Sequence, residues 1–245
     1  MAVKTAEVLP EGVVGLVVEI KGKPLHYLKA GSGQPLVLLH GGASDSRDWL
    51  PSMPVLSQHF TCYAPDMPGF GENERDEKGY FLSDFIETME DFTLALGLED
   101  PDIVGHSFGA RVGTGIAIRG KVKVHRLVLI DAVGFGKVTV YSSALMTGFW
   151  ALRKVLRLPD PYPTFRYRDG DDIYWGCDDE AKTLNLSVLL IWKSGDPYMP
   201  VSHAYKAQKL IPGSNLEIIA GFGHAPHKEN TAAFTKLLLD FLEKD

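Results

Sequence analysis

Short runs dominated by apolar side chains recur along the chain at residues 36–39, 60–64, 103–105, 127–130, 188–192 and 216–220. Strands covered on both faces read this way, as near-continuous apolar stretches rather than a strict alternation. Between the runs the period lengthens. Phe81, Phe85, Met89, Phe92 and Leu96 recur every three or four residues and stop at Gly97, the spacing of one buried helix face closed by a C-cap glycine. Helical spacing returns at 110–118, 205–211 and 233–242. Strands and helices in regular alternation predict a mostly parallel sheet with helices on both faces. Ahead of them, 13–20 and 24–28 flank the turn Lys21-Gly22-Lys23, which predicts an antiparallel hairpin at one sheet edge.

Residues 133–184 interrupt the alternation. A helical stripe of Val138, Tyr141, Leu145, Phe149, Leu152 and Leu156 leads into a loop rich in Pro, Tyr, Arg and Asp. The segment is short for an independent domain and reads as an insertion above the sheet. At 245 residues the chain is therefore expected to form one domain (1–245), with its core in 1–132 and 185–245 and a lid in 133–184.

Composition narrows the function. Hydrophobic residues make up 45% and charged residues 23%, the balance of a chain that buries a core. A net charge of -6 provides no broad positive field for a polyanion, so small or neutral molecules are the expected ligands and nucleic acid is not. Mean hydropathy is -0.03 and no apolar run reaches membrane-spanning length, so no membrane association is expected. Cys62 and Cys177 have neither metal-ligand spacing nor the numbers of a disulfide scaffold, which predicts free thiols in a reducing compartment. The first ten residues lack the compact apolar stretch of a secretory signal, so the cytoplasm is the expected location. The acidic clusters at 169–172 and 178–180 lack a calcium-loop pattern and read as solvated faces. No metal or cofactor is expected, and the chain should act as a monomer or homodimer.

The strongest local signal is Gly105-His106-Ser107-Phe108-Gly109, set between strand-like Ile103-Val104 and a helical stretch. A serine on a sharp strand-to-helix turn is exposed at the carboxyl end of a sheet, and flanking glycines let neighbouring backbone pass close. A hydroxyl needs a base to act as a nucleophile at neutral pH, and the base needs an orienting group. Eight histidines compete. His224 in Gly223-His224-Ala225-Pro226 follows the strand-like 216–220, on the same rim as Ser107. His227 reads as a surface residue, His203 as part of the first turn of its own helix, and His26, His59 and His125 as structural or solvated. His106 is pinned beside the turn and reads as a packing and pocket-lining residue. For the orienting acid, Asp196 follows 188–192. Asp131, directly after 127–130, is the rival, with capping of the loop that follows as its favoured role.

At these residues the chain resembles the α/β-hydrolase superfamily, in particular its serine esterases, from the first strands to the last helix. The resemblance implies an α/β-hydrolase fold with an eight-stranded, mostly parallel sheet, helices on both faces and a short helical lid. The family's order of nucleophile, acid and histidine falls here on Ser107, Asp196 and His224. The family's His-Gly turn falls on His40-Gly41-Gly42-Ala43, so the N–H groups of Gly42 and Phe108 would form an oxyanion hole, with Ala43 the alternative to Gly42. Asp66-Met67-Pro68-Gly69-Phe70-Gly71 resembles a structural loop of the family. The activity implied is hydrolysis of small to medium carboxylic esters without a cofactor. The insertion would roof the pocket, with Tyr141, Leu145, Met146, Phe149 and Trp150 as lining beside His106. Arg153, Lys154 and Arg157 read as a solvated helix face.

Other branches stay open. Relatives with an aspartate nucleophile do not fit Ser107. Carbon–carbon hydrolases acting on vinylogous diketones share the triad but often carry asparagine before the nucleophile and tryptophan after the histidine, where this chain has His106 and Ala225. Lactonases and perhydrolases use the same triad. A ligand-binding receptor built on a hydrolase scaffold is the reading from a different class.

Overall fold

The computed structural model describes residues 9–158, 160–169 and 171–244. The amino-terminal stretch read above for a signal lies almost wholly outside them. In chain order the elements are β1 (Val14–Ile20), β2 (Lys23–Ala30), β3 (Pro35–Leu39), α1 (Met53–Leu56), β4 (Thr61–Pro65), α2 (Leu82–Ala95), β5 (Asp102–His106), α3 (Phe108–Arg119), β6 (Arg126–Ile130), α4 (Val140–Val155), α5 (Asp178–Ala181), β7 (Ser187–Gly195), α6 (Val201–Leu210), β8 (Asn215–Phe222), α7 (Pro226–Glu229) and α8 (Thr231–Leu242). One eight-stranded sheet runs in the order β1-β2-β4-β3-β5-β6-β7-β8. Strand β2 is antiparallel to both its neighbours, and every pairing from β4 to β8 is parallel.

Successive side chains of a strand point to opposite faces, and the central strands are apolar on both. Val37, Leu39, Ile103, Leu127 and Leu129 join one core with Phe85, Met89 and Phe92 of α2 and Val112 and Ile116 of α3. Leu36, Leu38, Val104, Val128 and Ile130 join the other with Met53 and Leu56 of α1 and Phe234, Leu238 and Phe241 of α8. The expected helix over 81–96 is α2: Asp84 accepts the Phe81 N–H across its first turn, and Gly97 takes a left-handed φ of 62° just past its end. Helix α6 begins at Val201, four residues earlier than its apolar spacing suggests, with Pro200 leading in. Because β3 to β8 run parallel, their carboxyl ends share one rim, where ligands meet such sheets.

The insertion divides in two. Its ends and later half belong to the body: Val133, Phe135, Cys177, Ala181 and Leu184 are core residues, and Phe165 and Trp175 pack against them. Helix α4 stands off. Only Ser142 in it is buried. The helix is tethered at its start, where Thr139 and Ser142 donate hydroxyl hydrogen bonds to Pro197 O at 2.5 and 2.6 Å. Among the described residues no helix is long and apolar enough to cross a membrane. Cys62 and Cys177 are free and buried, and burial pushes their thiols up to about 12 and about 11.

Candidate active site

Strand β5 ends at His106 and α3 begins at Phe108, leaving Ser107 alone in the turn at φ 52° and ψ -112°. Such a backbone is costly for a residue with a Cβ, so the surroundings must hold it. Ser107 N–H donates to Ile130 O at 2.8 Å, and Ser107 O accepts from Ala110 N and Val133 N at 3.2 and 3.3 Å. The flanking glycines are required by space. A Cβ on Gly105 would meet Gly109 O at 2.5 Å, and one on Gly109 would meet Leu39 O and His40 O at 2.4 Å. The turn therefore lies against β3, and its hydroxyl is left at the rim.

Two other loops of that rim reach the hydroxyl. His224 Nε2 lies 3.0 Å from Ser107 Oγ, and His224 Nδ1 lies 2.6 Å from Asp196 Oδ2. Asp196 is nearly buried, and its other oxygen accepts Tyr198 N and Met199 N at 2.7 and 2.9 Å. The strand before it is bulged: the β7–β8 register shifts between Lys193 and Gly195, which re-aims the chain just ahead of Asp196. The histidine loop is held from beneath by Glu229, whose Oε1 accepts His224 N and Ala225 N at 3.3 Å each. Glu229 has no spacing signal in the sequence. Neither has Tyr198, whose ring centroid is 5.0 Å from that of His224.

The His40-Gly41-Gly42 turn lies against the same serine. A Cβ on Gly42 would approach Phe108 Cβ to 3.3 Å, so residue 42 and the start of α3 are in contact. Phe108 opens that helix, and its N–H is among those a helix leaves without an internal acceptor. His40 fixes the turn: its Nδ1 donates to Gly41 O at 2.7 Å and its Nε2 accepts Met67 N at 2.9 Å. Complete burial lowers its pKa and keeps the ring neutral. Asp66 ties down the adjoining loop by accepting Ser46 N, Glu72 N and His26 Nδ1 at 2.7, 3.0 and 2.9 Å.

Several expected placements change. His106 does not line an open pocket. It is buried, its Nε2 lies 2.5 Å from His224 O, and burial together with the neighbouring His227 and His224 lowers its pKa well below the usual histidine value. His227 is not a surface residue: it is fully buried, 4.6 Å from the Trp49 and His106 rings, because α7 packs on the turn containing Asp48 and Trp49. Asp131 does not cap its own loop. It reaches sideways to accept Lys193 N of β7 at 2.9 Å. The acidic clusters also do more than face solvent, since Asp172 accepts Tyr174 N and Gly176 N and Glu180 accepts Arg111 Nη2 at 2.7 Å. On α4, Tyr141, Leu145, Met146, Phe149 and Trp150 are 37–63% exposed. Their stripe faces solvent rather than packing onto the sheet.

Among the described residues, two groups of three side chains have ligand atoms within 4.8 Å of one another, Asp48/His106/His227 and His106/Asp131/His224. In the first, Lys228 Nζ already bonds Asp48 Oδ1 at 2.6 Å. The second borders the Asp196–His224 pair itself. A cleft of about 310 Å³ between α2, α3 and the 166–180 loop is lined by Arg111, Arg119, Arg166 and Arg168, not by Ser107. Phe108, Phe165 and Trp175, with ring centroids 4.9–5.1 Å apart, form an aromatic cluster at its side.

Residues 34–172 match the family described as the alpha/beta hydrolase fold. Among curated proteins, the chain is 28% identical over 261 residues to an uncharacterized protein of Mycobacterium tuberculosis (87% of this chain, 76% of the relative). It is 26% identical over 265 residues to the 2-hydroxy-6-oxo-2,4-heptadienoate hydrolase of Pseudomonas putida (94% of this chain, 96% of the relative). Among solved structures it is similar to carboxylesterase CesB of Bacillus subtilis, with a TM-score of 0.81 and 25% identity over 96% of this chain and 93% of that one.

Proposed function

Because the chain belongs to the alpha/beta hydrolase family, we propose that it is a serine hydrolase that cleaves small to medium carboxylic esters through an acyl-enzyme. One observation carries this reading: His224 stands between Ser107 Oγ at 3.0 Å and Asp196 Oδ2 at 2.6 Å. Ser107 attacks the ester carbonyl while His224 Nε2 takes its proton, and Asp196 holds the imidazole and stabilises its cation. Negative charge developing on the carbonyl oxygen is met by the N–H groups of Phe108 and of Gly42 or Ala43, each such donor contributing about 10² to 10³ in rate. His224 then protonates the departing alkoxide. It deprotonates a water that attacks the acyl-enzyme, releasing the carboxylic acid and restoring Ser107. No step calls for a cofactor.

The esterase branch is favoured by the likeness to the Bacillus carboxylesterase across almost the whole chain. The apolar side chains of α4, tethered beside the Asp196 loop, suit an acyl or aromatic group. The Pseudomonas putida relative supports a second reading, cleavage of a carbon–carbon bond in a vinylogous diketone. Against it stand His106 and Ala225, where such enzymes often carry asparagine and tryptophan. A fluorophosphonate probe tests the nucleophile: a single adduct mapped to the Ser107 peptide is the expected result, and an adduct elsewhere would refute the assignment. An ester panel extended to lactones and vinylogous diketones separates the branches.

A further inference from the structure

Asp131 lies at the carboxyl end of β6 with φ 43°, fully buried, its N–H bonded to Ile191 O at 3.0 Å. Oδ1 accepts the Lys193 N–H. Oδ2 is buried and makes no hydrogen bond to any described donor. An ionised carboxylate so placed would carry an unmatched charge in a buried site, which is costly. The groups around it offer no remedy. Asp196 from the β7–α6 loop and Glu229 from α7 are acidic, and both act on Asp131 in the same sense as burial. His224 and His106 each bring a nitrogen within 4.8 Å of an Asp131 oxygen, but His106 is held neutral by burial and His224 Nδ1 is committed to Asp196. The Lys193 ammonium faces Glu229 Oε2 at 3.5 Å instead.

Two adjacent buried carboxyl groups cannot both ionise at neutral pH, and the proton goes to the one with fewer donors. Asp196 receives three: Tyr198 N, Met199 N and His224 Nδ1. Asp131 receives one. Resting on the Ser107–His224–Asp196 reading above, we propose that Asp131 is a neutral carboxylic acid whose Oδ2–H donates to the Asp196 carboxylate and so holds Asp196 toward His224. The orphaned oxygen then has its partner, the buried negative charge is reduced to one, and Asp196 is fixed on four sides. Burial first, and then the neighbouring Asp196, push the Asp131 carboxyl up to about 9, which keeps it protonated at pH 7. Asp131 touches no reacting atom. It is a positioning residue that acts through Asp196.

The test pairs a spectrum with kinetics. Infrared spectra of the wild-type protein at pH 7 should contain a protonated-carboxyl stretch that disappears as pH is raised past about 9 and is missing from Asp131→Asn. In ester hydrolysis, Asp131→Leu should lower kcat by about 10- to 100-fold with KM nearly unchanged, and Asp131→Asn, whose amide can donate to Asp196 and accept Lys193 N–H, should recover most of it. The alkaline fall in kcat that ionisation of Asp131 imposes should be absent in Asp131→Asn. A wild-type spectrum without the protonated band, or equal losses in the Leu and Asn variants, would overturn the proposal. The spectrum needs no turnover, so it also reads Asp131 in Ser107→Ala. Full activity in Ser107→Ala would defeat the hydrolase mechanism while leaving the carboxyl pair standing.

Discussion

His106 Nε2 lies 2.5 Å from the carbonyl oxygen of His224, so the residue just before the serine anchors the loop that carries the histidine. The ring is buried and its pKa is lowered well below the ordinary value, so Nε2–H donates as part of a neutral imidazole. Replacing it removes a strut that sets the 3.0 Å spacing between His224 and Ser107. His106→Ala should therefore reduce kcat by about tenfold or more, with faster hydrogen exchange in residues 221–226. Wild-type kcat with unchanged exchange would show that the strut is dispensable.

Glu229 supports the same loop from the other side through His224 N and Ala225 N. Both bonds are to the carboxylate, and Glu229 also faces Lys193 at 3.5 Å. Glu229→Ala leaves two backbone donors and an almost buried ammonium without this partner. The expected result is a stability loss of about 1–3 kcal/mol in urea titration and a fall in kcat, with Glu229→Gln intermediate. Equal stability in the Ala and wild-type proteins would contradict that role.

The strand pattern was legible because it is local, and the meeting of Ser107, Asp196 and His224 could be expected because each follows a strand whose carboxyl end lies on one rim. Apolar runs mark the strands, and those of β3 to β7 are buried as expected, but the run at 216–220 falls in β8, an edge strand that is mostly exposed because no described strand covers its outer side. Gly105 and Gly109 announce a turn packed too closely to admit a Cβ at either position. What escaped was set by distant partners. His227 looks like a surface residue beside Pro226 and Lys228, and its burial depends on Trp49, nearly 180 residues earlier. Asp131 reads from the sequence as a loop cap, and only the pairing of β6 with β7 aims it at Lys193 N. The stripe on α4 has the spacing of a packed helix, yet its side chains are exposed and only Ser142 at its start is buried, because periodicity alone cannot report what a stripe faces.

Asp66 gives a pH prediction of its own. Burial pushes its carboxyl up, but His26, Glu72 N and Ser46 outweigh that and hold it down at about 2 against an ordinary 3.8. A depressed carboxylate stabilises the fold above its unfolded value, and that stability drains away as pH falls through the folded value. The contribution is about 2 kcal/mol at pH 7, with about 1 kcal/mol of it gone by pH 3. Urea titrations between pH 5 and pH 3 should show wild type losing more stability than Asp66→Asn. Parallel losses in the two proteins would rule out this source.

The exposed side chains of α4 predict a split in substrate preference. Leu145→Ser with Phe149→Ser removes exposed apolar surface from α4 while leaving Thr139 and Ser142 bonded to Pro197 O. KM for esters of longer acyl chains should rise about three- to tenfold, with acetate esters nearly unaffected. A uniform response across chain lengths would remove α4 from the acyl site.

The most direct measurement is steady-state turnover of a short-chain p-nitrophenyl ester by the wild-type, Ser107→Ala, Asp196→Asn and Asp131→Asn proteins. Many turnovers by the wild type are expected, with losses of about 10³-fold or more in Ser107→Ala and Asp196→Asn and near-wild-type kcat in Asp131→Asn at pH 7. A single stoichiometric burst from the wild type, or undiminished turnover without the Ser107 hydroxyl, would contradict the hydrolase mechanism.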